Sequence, residues 1–137
     1  MCRLRKCLLL LDGGTTNTRF TLVENNQILA QSQCRTGAVD AAREGQNHRL
    51  QAAVRREMNA LQNRWDCSIE EIYAAGMITS DTGLCEIKHI EAPVDLFRLA
   101  ASVQVRTLPE ISNVPFWFVP GIRFETGGPD NTDMLRG

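Results

Sequence analysis

The stretch of this sequence best equipped for chemistry is Asp12-Gly13-Gly14-Thr15-Thr16-Asn17-Thr18-Arg19, a carboxylate followed by small and hydroxyl residues. It follows a short apolar run, Cys7 to Leu11, of the kind that forms a strand buried on both faces. Such a strand carries the carboxylate of Asp12 to its end, where glycines let the backbone turn sharply. The small residues and hydroxyls that follow present N–H and O–H donors. These suit phosphate oxygens, and a carboxylate beside them suits Mg²⁺, held directly or through water. The same residues also fit an ordinary Gly-rich hairpin turn, in which Asp12 only satisfies turn N–H groups. No Gly-Lys-Ser/Thr is present, so the loop is not a Walker A motif.

The elements that would position this loop can be read outward from it. Arg19 to Val23 alternates as a second strand, Glu24-Asn25-Asn26-Gln27 is a tight turn, and Ile28 to Cys34 is a third strand. Glu44 to Trp65 is a helix, because Leu50, Val54, Met58, Leu61 and Trp65 make one apolar stripe. Arg49, Arg55, Arg56, Glu57 and Arg64 fall mostly off that stripe, on a solvated face. Ile69 to Gly76 returns as a fourth strand, central and parallel; Ser68 and Glu71 could instead cap a short helical turn. Thr79 to Gly83 reads as a polar loop, Cys85 to Ile90 as a further strand and Val94 to Ser102 as weakly helical. Val114 to Val119 is a strong strand, with Phe116-Trp117-Phe118 read as sheet packing rather than a base-stacking platform. Phe124 to Asp133 reads as a mobile loop. The expected class is α/β, a mixed sheet with flanking helices.

Composition narrows the partners. The 137 residues suffice for one domain and a modest core. Lys and Arg total 15 against 16 Asp and Glu, so nothing in the charge favours nucleic acid or a membrane surface as partner. The cysteines Cys2, Cys7, Cys34, Cys67 and Cys85 are scattered with no Cys-x-x-Cys pair, which fits free thiols rather than a zinc site or a disulfide framework. His48 and His89 lack metal-ligand spacing and are read as non-catalytic. The apolar run after Lys6 stops at Asp12, too soon for a signal peptide, and no stretch approaches the ~20 residues of a membrane helix. A cytoplasmic location is the expectation.

Asp-x-Gly-Thr-Thr-Asn-x-Arg after an apolar strand resembles the first phosphate loop of the actin, Hsp70 and sugar-kinase superfamily. The strand order β-β-β-α-β likewise resembles the start of a ribonuclease H-like fold, the actin-like ATPase domain. Two later segments narrow the match. Ala75-Gly76-Met77-Ile78-Thr79-Ser80 with Glu91-Ala92-Pro93 resembles the Gly-Met-x-x-Ser…Glu-Ala-Pro stretch of 2-dehydro-3-deoxygalactonokinases. Val119-Pro120-Gly121-Ile122-Arg123 with Asp133-Met134-Leu135-Arg136-Gly137 resembles their Val-Pro-Gly and Asp-x-Met-Arg-Gly segments. Gly13 stands where that family usually has tryptophan, and Leu135 where it usually has methionine.

The resemblance implies transfer of the ATP γ-phosphoryl group to a hydroxyl of a 2-keto-3-deoxy sugar acid, with Mg²⁺ as metal. It implies phosphate contacts from Gly14, Thr15, Thr16, Asn17 and Arg19, and a metal and catalytic role for Asp12. Met77, Thr79, Ser80 and Arg123 become candidate substrate contacts, and Arg136 a candidate catalytic cation. Arg123 and Arg136 suit an anionic substrate because guanidinium meets carboxylate bidentately. Asp133 is the favoured base, and Asp81, in the polar loop after Met77, is its rival. The resemblance also implies that residues 1–137 form an N-terminal domain that needs a C-terminal one, absent here, for activity. A homo-oligomer is left open, and neither nucleic acid nor membrane is an expected partner.

Overall fold

The computed structural model describes residues 5–125 and 132–135, with side chains described through Arg123. β1 (Arg5–Gly13), β2 (Thr18–Glu24) and β3 (Gln27–Cys34) form an antiparallel meander. Asn25 and Asn26 join β2 to β3 with φ of 51° and 62°, the left-handed conformation that a two-residue hairpin demands and asparagine tolerates. α1 (Ala38–Glu44) and α2 (His48–Trp65) then cross over to β4 (Cys67–Gly76), which pairs parallel to β1. β5 (Ile90–Glu91) and α3 (Leu96–Ser102) lead to the hairpin of β6 (Gln104–Leu108) and β7 (Ser112–Phe118), and β7 pairs parallel to β4. The main sheet has the order β3-β2-β1-β4-β7-β6, with β4 central and parallel. β8 (Ile122–Glu125) and β9 (Thr132–Leu135) join β5 in a second, three-stranded sheet.

The apolar stripe of α2 does the packing. Leu50, Val54, Met58 and Leu61 are buried against Leu9, Leu11, Phe20, Leu22, Ile72, Phe116 and Phe118. At about 25 cal/mol per Å² of apolar area removed from water, this face is the main source of stability. Alternation puts Phe116 and Phe118 on this side and Trp117 on the other, where its ring stacks on Tyr73 at 5.9 Å between centroids.

Several expectations are corrected. β1 is not buried on both faces: Leu10 is 40% exposed, because α2 covers only the side of Leu9 and Leu11 and α3 buries none of its residues. The helix expected from Glu44 starts at His48, since Gly45 (φ 68°) ends a separate helix, α1. Ser68 and Glu71 lie within β4, so the capping-box reading falls. Cys85 to Ile90 is not a strand. Leu84 and Cys85 donate their N–H groups to the Ile78 carbonyl and Ile87 donates to Thr79, so these alternating apolar residues pack onto a turn instead of a sheet. The mobile loop expected from Phe124 to Asp133 instead begins and ends in paired strands, Phe124 opposite Asp133, and residues 126–131 lie outside the described ones.

α2 ends on Asp66, which holds φ 48° without being glycine. An L side chain is strained there, so Asp66→Gly is expected to stabilise the fold by about 0.5–1 kcal/mol, read as a rise in the denaturation midpoint.

Candidate active site

β1, β4 and β7 run side by side in the same direction, so their carboxyl ends lie together at one end of the sheet. Those ends are Gly13, Gly76 and Phe118, and the segments singled out in the sequence, 12–19, 75–80 and 119–123, each continue from one of them. Open α/β sheets place ligands at such carboxyl ends.

Asp12 pairs across to Arg19 on β2 and to Ala75 on β4. The Arg19 guanidinium donates to Asp12 Oδ2 through Nε (3.1 Å) and Nη2 (2.9 Å). With side-chain exposures of 58% and 45%, the pair contributes only about 0–1 kcal/mol. Its effect is to orient: one carboxylate oxygen is fixed toward Arg19. The other, Oδ1, lies over the Gly76 corner, where a Cβ would come within 2.9 Å of it and 2.5 Å of the Gly13 carbonyl oxygen. Gly76 has φ 78° and ψ −147°, a conformation essentially reserved for glycine.

The loop after β1 spends its acceptors on the protein. Gly14 N–H donates to the Asn17 carbonyl (2.8 Å), while the Gly14 and Thr15 carbonyls accept from Ala38 and Val39 at the start of α1. This close approach needs Gly37, whose Cβ would sit 2.6 Å from the Thr15 carbonyl oxygen. Asp40 holds that corner by accepting from the Gly37 N–H at 2.9 Å. Buried Thr18 anchors the loop's far end by donating its hydroxyl to the Thr36 carbonyl. Among the described residues, no backbone bond uses the N–H groups of Thr15 and Thr16, and both residues are exposed. A loop with engaged carbonyls and open N–H groups suits an anion.

After β4, Met77–Thr79 forms a single 3₁₀ turn. Thr79 is fully buried and donates its hydroxyl to the Gly76 carbonyl, and Ser80 donates its hydroxyl to the Met77 carbonyl (2.6 Å). Both hydroxyls therefore shape the turn, and half-buried Met77 opens it. Asp81 is exposed and sits apart from this turn's interior, lining a cleft of about 330 Å³ with Gln46 and Asn47 at the α1–α2 junction. Asn47 ties that junction to the turn by donating to the carbonyls of Gly83 and Leu84.

Arg123 lies on the second sheet, opposite Met134, with Nη2 3.4 Å from Glu91 Oε1 on β5. Asp133 is one register position away, opposite Phe124. The structure thus brings Arg123 and Asp133 onto adjacent strands, while Arg136 lies outside the described residues. No group of three or more His, Cys, Asp or Glu that could hold a metal is found among the described residues. Burial, helped by a hydrogen bond with Cys67, pushes the Cys7 thiol up to about 12, so it is no nucleophile at neutral pH.

A sequence model of one protein family, 2-keto-3-deoxy-galactonokinase, matches residues 12–137. The chain belongs to that family. Its match begins at Asp12 and takes in all three strand ends. No individually curated protein matches. Among solved structures, this kinase-family chain is similar to a Sinorhizobium meliloti protein provisionally named a 2-dehydro-3-deoxygalactonokinase. The two share 18% identity with a TM-score of 0.70, over 95% of this chain and 39% of that one. The likeness carries the fold: an α/β, ribonuclease H-like domain built on a mixed sheet. No helix among the described residues is long and apolar enough to cross a membrane.

Two residues of the site escaped the sequence reading. Gly37 and Asp40 build the seat of the loop from a helix that the reading did not resolve. Their signal was Gly37 with an acidic residue three positions on and Gly45 closing the helix, a short capped unit.

Proposed function

We propose that the chain is the N-terminal domain of an ATP-dependent kinase that phosphorylates a 2-keto-3-deoxy sugar acid, 2-dehydro-3-deoxygalactonate by family. The observation that carries this reading is the convergence of Asp12, the Gly14–Asn17 loop and the Gly76–Ser80 turn at adjacent carboxyl ends of parallel strands. The open N–H groups of Thr15 and Thr16, with Gly14, Asn17 and Arg19 around them, would hold the phosphate chain, and Asp12 would hold Mg²⁺. When bound, Mg²⁺–ATP supplies the phosphoryl group and charge neutralisation.

The chain's own residues do the rest by positioning. Arg19 orients Asp12, and its guanidinium would suit a phosphate oxygen beside the loop as well. Arg123, with Met77 beside the phosphate loop, would meet the anionic acceptor. Arg136 would stabilise charge in the transition state. Asp133 would take the proton from the acceptor hydroxyl, with Asp81 the rival. Asp133→Asn is expected to lower turnover by about 10³-fold while ATP affinity changes little, measured by steady-state kinetics beside nucleotide titration. Retained turnover would pass the role to Asp81, tested by the same substitution there.

The chain spans 39% of the length of the Sinorhizobium meliloti structure. Leu10, Val105, Leu96 and Phe97 are exposed, the last two at 80% and 86%. Both observations support a second domain that closes on this one and completes the site.

A coupled ADP-release assay on the full-length protein tests the reading, using Mg²⁺–ATP with 2-keto-3-deoxy sugar acids, other sugar acids and neutral sugars. ADP release that depends on a 2-keto-3-deoxy acid is expected. Release only with a neutral sugar would make it another carbohydrate kinase. Tight ATP binding without turnover on any acceptor would make it a nucleotide-binding regulatory relative.

A further inference from the structure

A groove of about 440 Å³ runs along the outer side of α2, lined by His48, Gln51, Arg55, Arg56, Asn59 and, from the β6–β7 turn, Glu110. The spacing of three and four residues puts the α2 members on one stripe of the helix, distinct from the buried stripe of Leu50, Val54, Met58 and Leu61. Four arginines are matched by carboxylates: Arg5 faces Glu24, Arg19 faces Asp12, Arg123 faces Glu91, and Arg49, on the same helix, faces Asp40 and Glu44. Arg55 and Arg56 face no carboxylate among the described residues. Two adjacent guanidinium groups, with a histidine two turns before them on the helix, put two positive charges on the groove against the one carboxylate of Glu110. Guanidinium groups match phosphate oxygens in paired hydrogen bonds. Across the groove Glu110 would repel a bare anion but accept hydrogen bonds from hydroxyls, and Gln51 and Asn59 can serve hydroxyls too.

We infer that this groove is a second binding site, taking a small polyhydroxylated phosphate ester with its phosphate on Arg55, Arg56 and His48 and its hydroxyls toward Glu110. The inference does not rest on the proposed kinase activity.

Amide chemical-shift titration of the purified protein tests it, with 6-phosphogluconate, inorganic phosphate and sorbitol as probes. The expected result is saturable binding of 6-phosphogluconate with Kd about 1 mM or tighter, with shifts centred on residues 48–59 and Glu110. Phosphate should bind about tenfold more weakly and sorbitol not at all. The double variant Arg55→Ala/Arg56→Ala should weaken the ester about tenfold or more. Glu110→Gln should weaken the ester but strengthen inorganic phosphate, a crossed response that a merely positive surface would not give. Both variants alter exposed side chains, and their amide spectra report directly that the fold is kept. Shifts confined to residues 14–17 and 76–80, an unchanged Kd in the double variant, or tighter ester binding by Glu110→Gln would each overturn the inference.

Discussion

Asp12→Ala is expected to reduce turnover of the proposed kinase by about 10³-fold, with the fold intact. The size follows from what the side chain does. It is the carboxylate at the end of β1, beside a loop whose N–H groups are open. The fold should survive because the side chain is 45% exposed and its recorded partner is the exposed Arg19. Asp12→Asn keeps the shape and removes the charge, so it should lose nearly as much; steady-state kinetics across a Mg²⁺ titration, with thermal unfolding run alongside, reads both effects. Near-normal turnover by either variant with an unchanged Mg²⁺ requirement would remove Asp12 from the metal role.

Gly76→Ala should strongly destabilise the fold, because overlap adds to a backbone conformation reserved for glycine. The new Cβ would lie 2.5 Å from the Gly13 carbonyl oxygen and 2.9 Å from Asp12 Oδ1, on a backbone at φ 78°. Neither obstacle is the free end of a flexible chain, because the carbonyl belongs to the β1 ladder and the carboxylate is held by Arg19. Strain and overlap together are expected to cost about 2–4 kcal/mol. For a domain of this size that lowers Tm by roughly 8–15 °C. Gly45→Ala is the control: φ there is 68°, but a Cβ meets nothing within 4 Å, so only the backbone term of about 1 kcal/mol remains. Equal shifts for the two variants would mean that contact with Gly13 and Asp12 adds nothing.

Much of the frame was legible because it rests on periodicity. The stripe from Leu50 to Leu61 marked α2, the Asn25-Asn26 turn marked the hairpin, and the return through Ile69 to Gly76 marked a central parallel strand. What failed had no apolar period to read or borrowed one from another cause. Gln104–Leu108 is an edge strand with its middle exposed, so it carries no buried face to announce itself. Cys85 and Ile87 alternate because they pack around the Ile78 turn. The apolar run of β1 suggested two covered faces where the described helices cover one.

The candidate site divides in the same way. Asp12, Arg19 and the Gly14–Asn17 loop were visible as residue types in a local run. That Gly76, Gly37 and Asp40 shape the same corner depends on contacts between segments distant in sequence, which local spacing does not encode. Thr79 and Ser80 looked like free hydroxyls, yet their bonds to the Gly76 and Met77 carbonyls are turn chemistry, common to serine and threonine in tight corners. The short Asp133 segment pairs with the Arg123 strand, a neighbourhood that Gly and Asp content had masked.

The account's central claim is that the carboxyl ends of β1, β4 and β7 form one ligand site. Its most direct test is a residue-resolved amide titration of the purified full-length protein with Mg²⁺ and a non-hydrolysable ATP analogue. The account predicts that the largest changes fall on Gly14–Asn17 and Gly76–Ser80, and that Asp12→Ala abolishes the Mg²⁺-dependent part of them. Saturable binding whose changes fall on β3, β6 or α2 while these two segments stay still would contradict it.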